Sequence, residues 1–590
     1  MSRFGCVLLL LLPWCIFAAS PTGPTRVACP PGGLQIRSAG VPGRQTLSSQ
    51  ETSYINQRTS RVLPNAWASY LSNAERATPA GPFLTDTFNR DLSSHIPRIG
   101  IATSGGGYRA ALFGAGVLSS IDARNKTAVK LGTAGLLQSA TYIAGLSGGS
   151  WLLTSLVQAD FPTLPDLIFA PNANPNGGNN QFGGWLTTVD LTAPGDANTT
   201  LLFLEGLLEE VLPKFEAGFP ITITDPWSRT LSRHFVNGTT LSNILTPGTH
   251  GAGVLYSDFP QLSTFKSFEQ PFPIVIADSV PPNPDTKEII PGNVVPLNSE
   301  IWEFNAFEVG SYDPGLASFI PTSLLGSTPG NNCVIGFDQA GYIAGISSNL
   351  FDEFNISGVA IPPLSTFVEL IEGFVGPEPG FHLDTAVVPN PFKGVHPSTF
   401  SNSKQDFVNL VDGGLDGEVL PLQPLLVQAR HIDTIFAIDA SADTEENFTN
   451  GSDIVNAAKR AALFGNAYPF PPVPSSPDIF VKEGLNRRPT FFGCDVPYDE
   501  APLIIYIANG GPPAGQVAVT NTSTEQTTYS DVEVQQFLNQ AFDIGTQGIP
   551  GTHWGTCLAC GVTDRTRARL GLSRTAECAL CMEQYCWNGH

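Results

Sequence analysis

Cations are scarce in this chain. Lysine and arginine number 30 against 52 aspartates and glutamates in 590 residues, for a formal charge of −22. That balance argues against a nucleic-acid partner, whose binding rests on cationic neutralisation of phosphates, and against a basic patch for anionic membranes. Charge of either sign is sparse too, at 14%, while hydrophobic residues reach 42%. A large core is therefore available, and a disordered chain is excluded. The acidic excess serves solubility at least; a second reading is adaptation to acidic surroundings, where carboxylates are partly neutralised. Repeats and blocks of like charge are missing. So is any apolar run long enough to cross a bilayer after the N-terminus, since roughly 20 residues are needed. The chain ends "CWNGH" with no hydrophobic tail, so no C-terminal lipid anchor is expected.

The N-terminus "MSRFGCVLLLLLPWCIFAAS" has a positive start at Arg3, a short apolar core and small residues for cleavage. Residues 1–20 therefore read as a secretory signal peptide. Eight cysteines remain after its removal: Cys29, Cys333, Cys494, Cys557, Cys560, Cys578, Cys581 and Cys586. The last cluster holds two Cys-x2-Cys pairs 17 residues apart, a spacing that suits a four-thiolate zinc site in a reducing compartment. Behind a signal peptide, disulfides are the better reading, with the pairing left open. Seven Asn-x-Ser/Thr acceptors, Asn125, Asn198, Asn237, Asn355, Asn447, Asn450 and Asn521, then become glycosylation candidates.

Glycine (59) and proline (50) are plentiful. They gather in loops such as "PNANPNGGNNQFGG" (Pro171–Gly184) and "YPFPPVPSSPD" (Tyr468–Asp478), where proline removes a donor and fixes φ. Neither loop separates regions of different composition, so residues 21–550 read as one large domain. Residues 551–590 read as a Cys-rich segment packed upon it. Apolar strands alternate with helical patterns: Ile99–Thr103 before a helix carrying Ala110, Phe113, Val117 and Ile121; "TYIAG" before another; "DTIFAIDAS" before "SDIVNAAKRAALFG". These patterns point to an α/β fold with a large mixed, mostly parallel central sheet flanked by helices. A capping box at Ser530–Glu533 opens a late helix with Val534, Phe537, Leu538 and Ala541 inward, and Gly545 is placed to close it.

Three turns carry chemistry. In "GLSGGS" the Gly-x-Ser-x-Gly pattern lies between a strand and a helix, the arrangement that exposes a serine on a strained bend. A plainer reading has the glycines only easing close packing. A serine hydroxyl needs a base and oxyanion donors to act as a nucleophile. "SGGGYRA" offers donors in the bare N–H groups of Gly106 and Gly107; no Gly-Lys-Ser/Thr follows, so a nucleotide loop fits poorly. Arg109 stands at a helix start, where a cation is disfavoured by the dipole unless an anion, such as a phosphate, faces it. A surface arginine is the alternative. For the base, Asp412 ends a strand at "LVDGG", on the side of an α/β sheet that faces ligands; Asp416 and Glu418 are neighbours in competition. A Ser-His-Asp triad using His431 or His553 is the rival arrangement.

The motifs "SGGGYRA", "GLSGGSW" and "LVDGG", in that order, together with "WEFNAFEVGSYDP" and the Cys-rich end, resemble the secreted fungal lysophospholipase/phospholipase B family. More distantly they are similar to cytosolic phospholipases and patatins. The resemblance implies Ser147 as nucleophile and Asp412 as its base, without histidine. It implies Gly106, Gly107 and Gly148 as oxyanion donors, and Arg109 toward the lipid phosphate. It further implies lysophospholipid or phospholipid substrates in micelles or membrane surfaces, and acyl transfer when another lysolipid replaces water. No cofactor or metal is implied, and no calcium-dependent docking domain has a counterpart here.

Overall fold

The computed structural model describes residues 23–77, 95–170, 183–246, 248–351, 383–548 and 553–589. The expected signal segment and the Asn355 acceptor lie outside them. The strands in chain order are β1 (Thr25–Val27), β2 (Arg37–Ser38), β3 (Ile99–Thr103), β4 (Tyr142–Gly145), β5 (Phe272–Val280), β6 (Ile301–Asn305), β7 (Glu308–Ser311), β8 (Ser318–Pro321), β9 (Cys333–Ile335), β10 (Ala386–Pro389), β11 (Phe407–Asp412), β12 (Thr434–Asp439), β13 (Thr490–Phe492) and β14 (Leu503–Ala508). Twelve of them form one sheet, ordered β13-β14-β12-β3-β4-β5-β6-β7-β8-β2, with β11 and β10 branching from β5.

Strands β14, β12, β3, β4 and β5 run parallel. β3, β4, β12 and β14 are buried along their whole length, which explains why they read as continuous apolar runs rather than alternating ones. The remaining pairings, β5-β6-β7-β8-β2, β10-β11-β5 and β13-β14, are antiparallel. The sheet is thus mixed, with parallel pairing confined to five strands; β3 and β4 among them carry two of the turns of interest, while β11, which carries the third, pairs antiparallel.

The junction at β5 positions everything that follows. β4 covers one edge of β5 from Phe272 to Val275. β6 lies on the other edge and pairs with Ile274 to Asp278. β11 pairs antiparallel with Ala277 to Val280, so it must share the edge that β4 has just left. Two strands therefore approach along one edge from opposite directions. Their C-terminal ends, Gly145 opposite Val275 and Asp412 opposite Ala277, meet near the middle of β5.

Helices α1 (Gly107–Ser120) and α2 (Gly148–Gln158) follow β3 and β4 and are almost wholly buried. Further helices include α3 (Thr224–Phe235), α4 (Ala340–Ser347), α5 (Ser452–Leu463), α6 (Asp531–Thr546), α7 (Trp554–Arg569) and α8 (Ala576–Tyr585). The capping box at Ser530 and Glu533 opens α6 as expected. Its end differs from expectation. Gly545 lies inside the helix, and Gln547 at φ +52° closes it. Gly545 instead permits close packing on α1, because a Cβ there would stand 2.3 Å from the Ser120 hydroxyl.

All eight cysteines among the described residues form disulfides. Cys557–Cys581 and Cys560–Cys578 lace α7 to α8, Cys494–Cys586 ties the chain end to the loop after β13, and Cys29–Cys333 joins paired strands β1 and β9. The two Cys-x2-Cys pairs thus cross-link each other rather than a metal. Cys494–Cys586 closes 92 residues. Replacing both with serine should lower unfolding stability by about 4–5 kcal/mol, the chain-entropy value for a loop of that size; denaturant melts of the double variant check this.

Candidate functional site

Ser147 caps α2 with φ +50° and ψ −122°. That conformation is strained for a residue with a side chain, at a typical cost of about 1–3 kcal/mol. The surrounding structure holds it there. The Ser147 N–H donates to both the carbonyl (3.1 Å) and the hydroxyl (3.0 Å) of Ser347, at the end of α4. Gly149 N–H donates to the carbonyls of Ser104 and Leu146. Gly148 must be glycine, since a Cβ would lie 2.0 Å from the carbonyl oxygen of Gly107. The starts of α1 and α2 therefore abut beside Ser147, and their positive ends share one place.

The Ser104–Gly107 turn lies against the serine: a Cβ on Gly105 would come within 2.9 Å of Ser147 Cβ. Backbone bonds fix the turn at Ser104 N–H to Ile438 and Gly105 N–H to Val419, while Ser104 Oγ accepts from Ala440 N–H. Gly106, at φ +124°, adopts a backbone open to glycine alone. Among the described residues, none accepts from the N–H groups of Gly106, Gly107 or Gly148. Three bare donors thus cluster beside the serine.

Asp412 is 2% exposed. Its N–H donates to the carbonyl of Asn349 (3.0 Å), and its Oδ1 accepts from Gly414 N–H (2.8 Å). The turn that carries Asp412 packs on the turn that carries Ser147. A Cβ on Gly413 would lie 3.1 Å from Leu146, and Val419 flanks both Gly414 and Gly105. One short segment holds both residues: Ser347 receives Ser147, and Asn349 receives Asp412. That segment is itself pinned, with the Asn349 amide donating to Thr224 Oγ1 (2.7 Å) and the Trp227 indole donating to Ser348 Oγ (3.0 Å), both from α3. Sequence reasoning missed Ser347 and Asn349. "GISSNLF" carries no local mark of the partners that fold brings to it.

Arg109 is buried rather than displayed. Its Nε donates to Ala440 O (2.8 Å), and Nη1 donates to Thr522 O (2.9 Å) and Thr524 Oγ1 (2.8 Å). Nη2 leans over Gly106. Burial pulls its pKa down to about 10, so it stays charged at neutral pH. Asp416 and Glu418 are occupied elsewhere: both face Arg460 of α5, Glu418 at 3.1 Å and Asp416 at 3.8 Å, and Arg460 also binds Asp313 (2.8 Å). The histidine alternatives are misplaced. His431 precedes β12, at the strand starts, whereas Ser147 follows the strand ends. His553 caps α7, where Gly555 abuts Leu131 and Gly132 beyond the far end of α1, a helix about 20 Å long. Among the described residues, no group of three or more His, Cys, Asp or Glu side chains could hold a metal ion.

Residues 99–590 match the family model "Lysophospholipase catalytic domain". Lysophospholipase 3 of Aspergillus fumigatus is 36% identical over 592 residues, covering 96% of this chain and 87% of that protein. Lysophospholipase of Penicillium chrysogenum is 34% identical, with 96% and 90% covered, and lysophospholipase 1 of Candida albicans is 35% identical, with 99% and 92% covered. Among solved structures, human GIVD cytosolic phospholipase A2 superposes with a TM-score of 0.62 at 16% identity, over 91% of this chain and 69% of that one. The same human protein in complex with methyl gamma-linolenyl fluorophosphonate superposes with a TM-score of 0.55. The fold is that of the cytosolic phospholipase A2 class. The chain belongs to the lysophospholipase family and is an ester hydrolase.

Around the site, buried acids hold protons unusually tightly. Asp416 and Asp443 are pushed up to about 6, and Asp278, Glu418 and Asp453 rise further. Burial is the main cause in each; neighbouring carboxylates add to it for Asp278, Glu418, Asp443 and Asp453, while Arg460 pulls Asp416 back. A folded pKa above the unfolded value of about 4 gives stability that is full at low pH and lost as pH rises through the folded value. His234, His250 and His431, lowered by burial, oppose this below about pH 6.5 and contribute no slope above it. The melting temperature should therefore fall between pH 6.5 and 8. Calorimetry across that range checks it, and a flat or rising Tm would contradict it.

Proposed function

We propose that the protein is a secreted lysophospholipase of the phospholipase B type, cleaving acyl esters of lysophospholipids and phospholipids through an acyl-Ser147 intermediate. The convergence of Ser147, the Gly106–Gly107 turn and Asp412 at the middle of β5 carries this reading. The full-length kinship with lysophospholipases supports the substrate class.

In the proposed reaction Asp412 takes the Ser147 proton as Oγ attacks the ester carbonyl. The oxyanion is held by the N–H groups of Gly106 and Gly107, with Gly148 as a third donor; each such donor is worth about 3–4 kcal/mol to a transition state. The ester C–O bond breaks, and Asp412 returns the proton to the departing alcohol oxygen of the glycerophospho compound. Water, deprotonated by Asp412, then attacks the acyl-serine and releases the fatty acid and Ser147. A second lysolipid in place of water gives transacylation. Arg109 ties the start of α1 to Ala440 and to the Thr522–Thr524 segment through Nε and Nη1, leaving Nη2, which leans over Gly106, as the part available to a head-group phosphate.

Secretion is supported by the N-terminal signal pattern and by four disulfides, which persist in oxidising compartments. Among the described residues no helix is long and apolar enough to cross a membrane. We assign residues 21–550 to the catalytic domain and 551–590 to the disulfide-laced segment, and count Asn198, on an exposed helix start, among the glycan acceptors.

On lysophosphatidylcholine, Ser147→Ala and Asp412→Asn should each lower kcat by at least about 10⁴-fold, as for linked nucleophile and base residues, while His431→Ala and His553→Ala leave it unchanged. Loss of activity in either histidine variant with retained fold would favour the triad. Ser347→Ala removes one acceptor from the Ser147 N–H and keeps the carbonyl; kcat should fall roughly threefold to tenfold, the value of one hydrogen bond, with KM little changed in steady-state assays.

A further inference from the structure

A cleft of about 210 Å³ opens between α1, α6 and the short Leu164–Phe169 helix. It is smaller than the roughly 300–1,000 Å³ typical of drug-sized ligand sites. Its apolar wall is made by Leu164, Phe169, Leu538 and Phe542, and Gln535 and Asn539 add amides. Aromatic faces beside amides suit a sugar ring, which has apolar C–H faces and polar edges. Two further lining residues, Asn125 and Thr127, are the first and third members of an Asn-x-Thr acceptor.

We infer that an N-linked glycan on Asn125 seats its first N-acetylglucosamine in this cleft, where it bridges α1 to α6. This rests on the secretory reading above. The local geometry tolerates the linkage. Asn125 Oδ1 accepts from Thr127 and Ala128 N–H, capping the Lys126–Leu131 helix, and attachment leaves that oxygen unchanged. Nδ2 donates to Ser119 Oγ (3.0 Å), and a glycosylated amide nitrogen keeps one hydrogen for such a bond. Thr127 is exposed, and Ser119 and Phe542 are half-buried, so the cleft is open to the attached sugar. α1 begins at Gly107, and α6 packs along it at Gly116, where a Cβ would come within 2.5 Å of Ala541. A sugar wedged beside this contact would hold α6 against α1.

Thr127→Ala deletes the acceptor and keeps the Asn125 cap; Thr127→Ser restores the acceptor. In protein secreted from a glycosylating host, peptide mass spectrometry should find Asn125 occupied in wild type and Thr127→Ser. Thr127→Ala should lower Tm by about 1–2 °C and speed amide exchange in α6, with kcat unchanged. Trimming wild type to one N-acetylglucosamine with endoglycosidase H should preserve Tm. Phe542→Ala should cost less in the Thr127→Ala background than in wild type, the non-additivity of groups in contact. Occupied Asn125 with an unchanged Tm in Thr127→Ala, or with strictly additive costs, would overturn the proposal. So would an empty Asn125 beside an occupied Asn198, which leaves the secretory reading standing. Protein that never enters the secretory pathway of that host would sink both.

Discussion

One edge of β5 is shared by two strands, and the site depends on that sharing. A parallel βαβ arrangement by itself delivers strand ends and helix starts to one side of a sheet, which suffices for a nucleophile turn and its oxyanion donors. It does not deliver a carboxylate from a strand running the other way. β11 does so only because β4 stops at Gly145 and vacates the remainder of the edge. Backbone hydrogen bonds along β5 then set the separation of the two turns, and register is rigid wherever both faces are buried. The Ser347–Asn349 segment completes the frame from above by accepting one N–H from each turn.

The same crowding explains the electrostatics. Asp313, Asp416 and Glu418 converge on the single guanidinium of Arg460. Asp278 sits nearby on β5 with both oxygens buried and no hydrogen-bond partner among the described residues. A buried carboxylate without compensation is expensive, so such a group keeps its proton instead. The acid-rich composition therefore has a structural expression as well as a surface one: part of the negative formal charge lies on internal carboxyls that burial makes harder to ionise.

Legibility in the sequence followed the range of the physics involved. The glycine turns at Gly105–Gly107 and Gly145–Gly149 were readable because a turn that excludes Cβ atoms is a local demand. Asp412 was readable because it ends an apolar strand before two glycines. The direction of that strand was not, since a buried strand looks alike whether its neighbours are parallel or antiparallel. The burial of Arg109 is not legible locally, because its acceptors at Ala440, Thr522 and Thr524 are more than 300 residues away. The disulfide pairing and the Ser347–Asn349 brace were hidden for the same reason. Glycine's closing role is a local signal, whereas the observed role of Gly545 is contact with Ser120 on another helix.

The central claim is that Ser147 is made nucleophilic by Asp412 and by no imidazole. Its most direct test is the rate and place of phosphonylation by a long-chain fluorophosphonate, read by intact mass and peptide mapping. The account predicts one adduct, on the peptide that contains Ser147, forming far more slowly in Asp412→Asn and at the wild-type rate when His431 and His553 are replaced. An adduct on another residue, or labelling of Asp412→Asn at the wild-type rate, would contradict it.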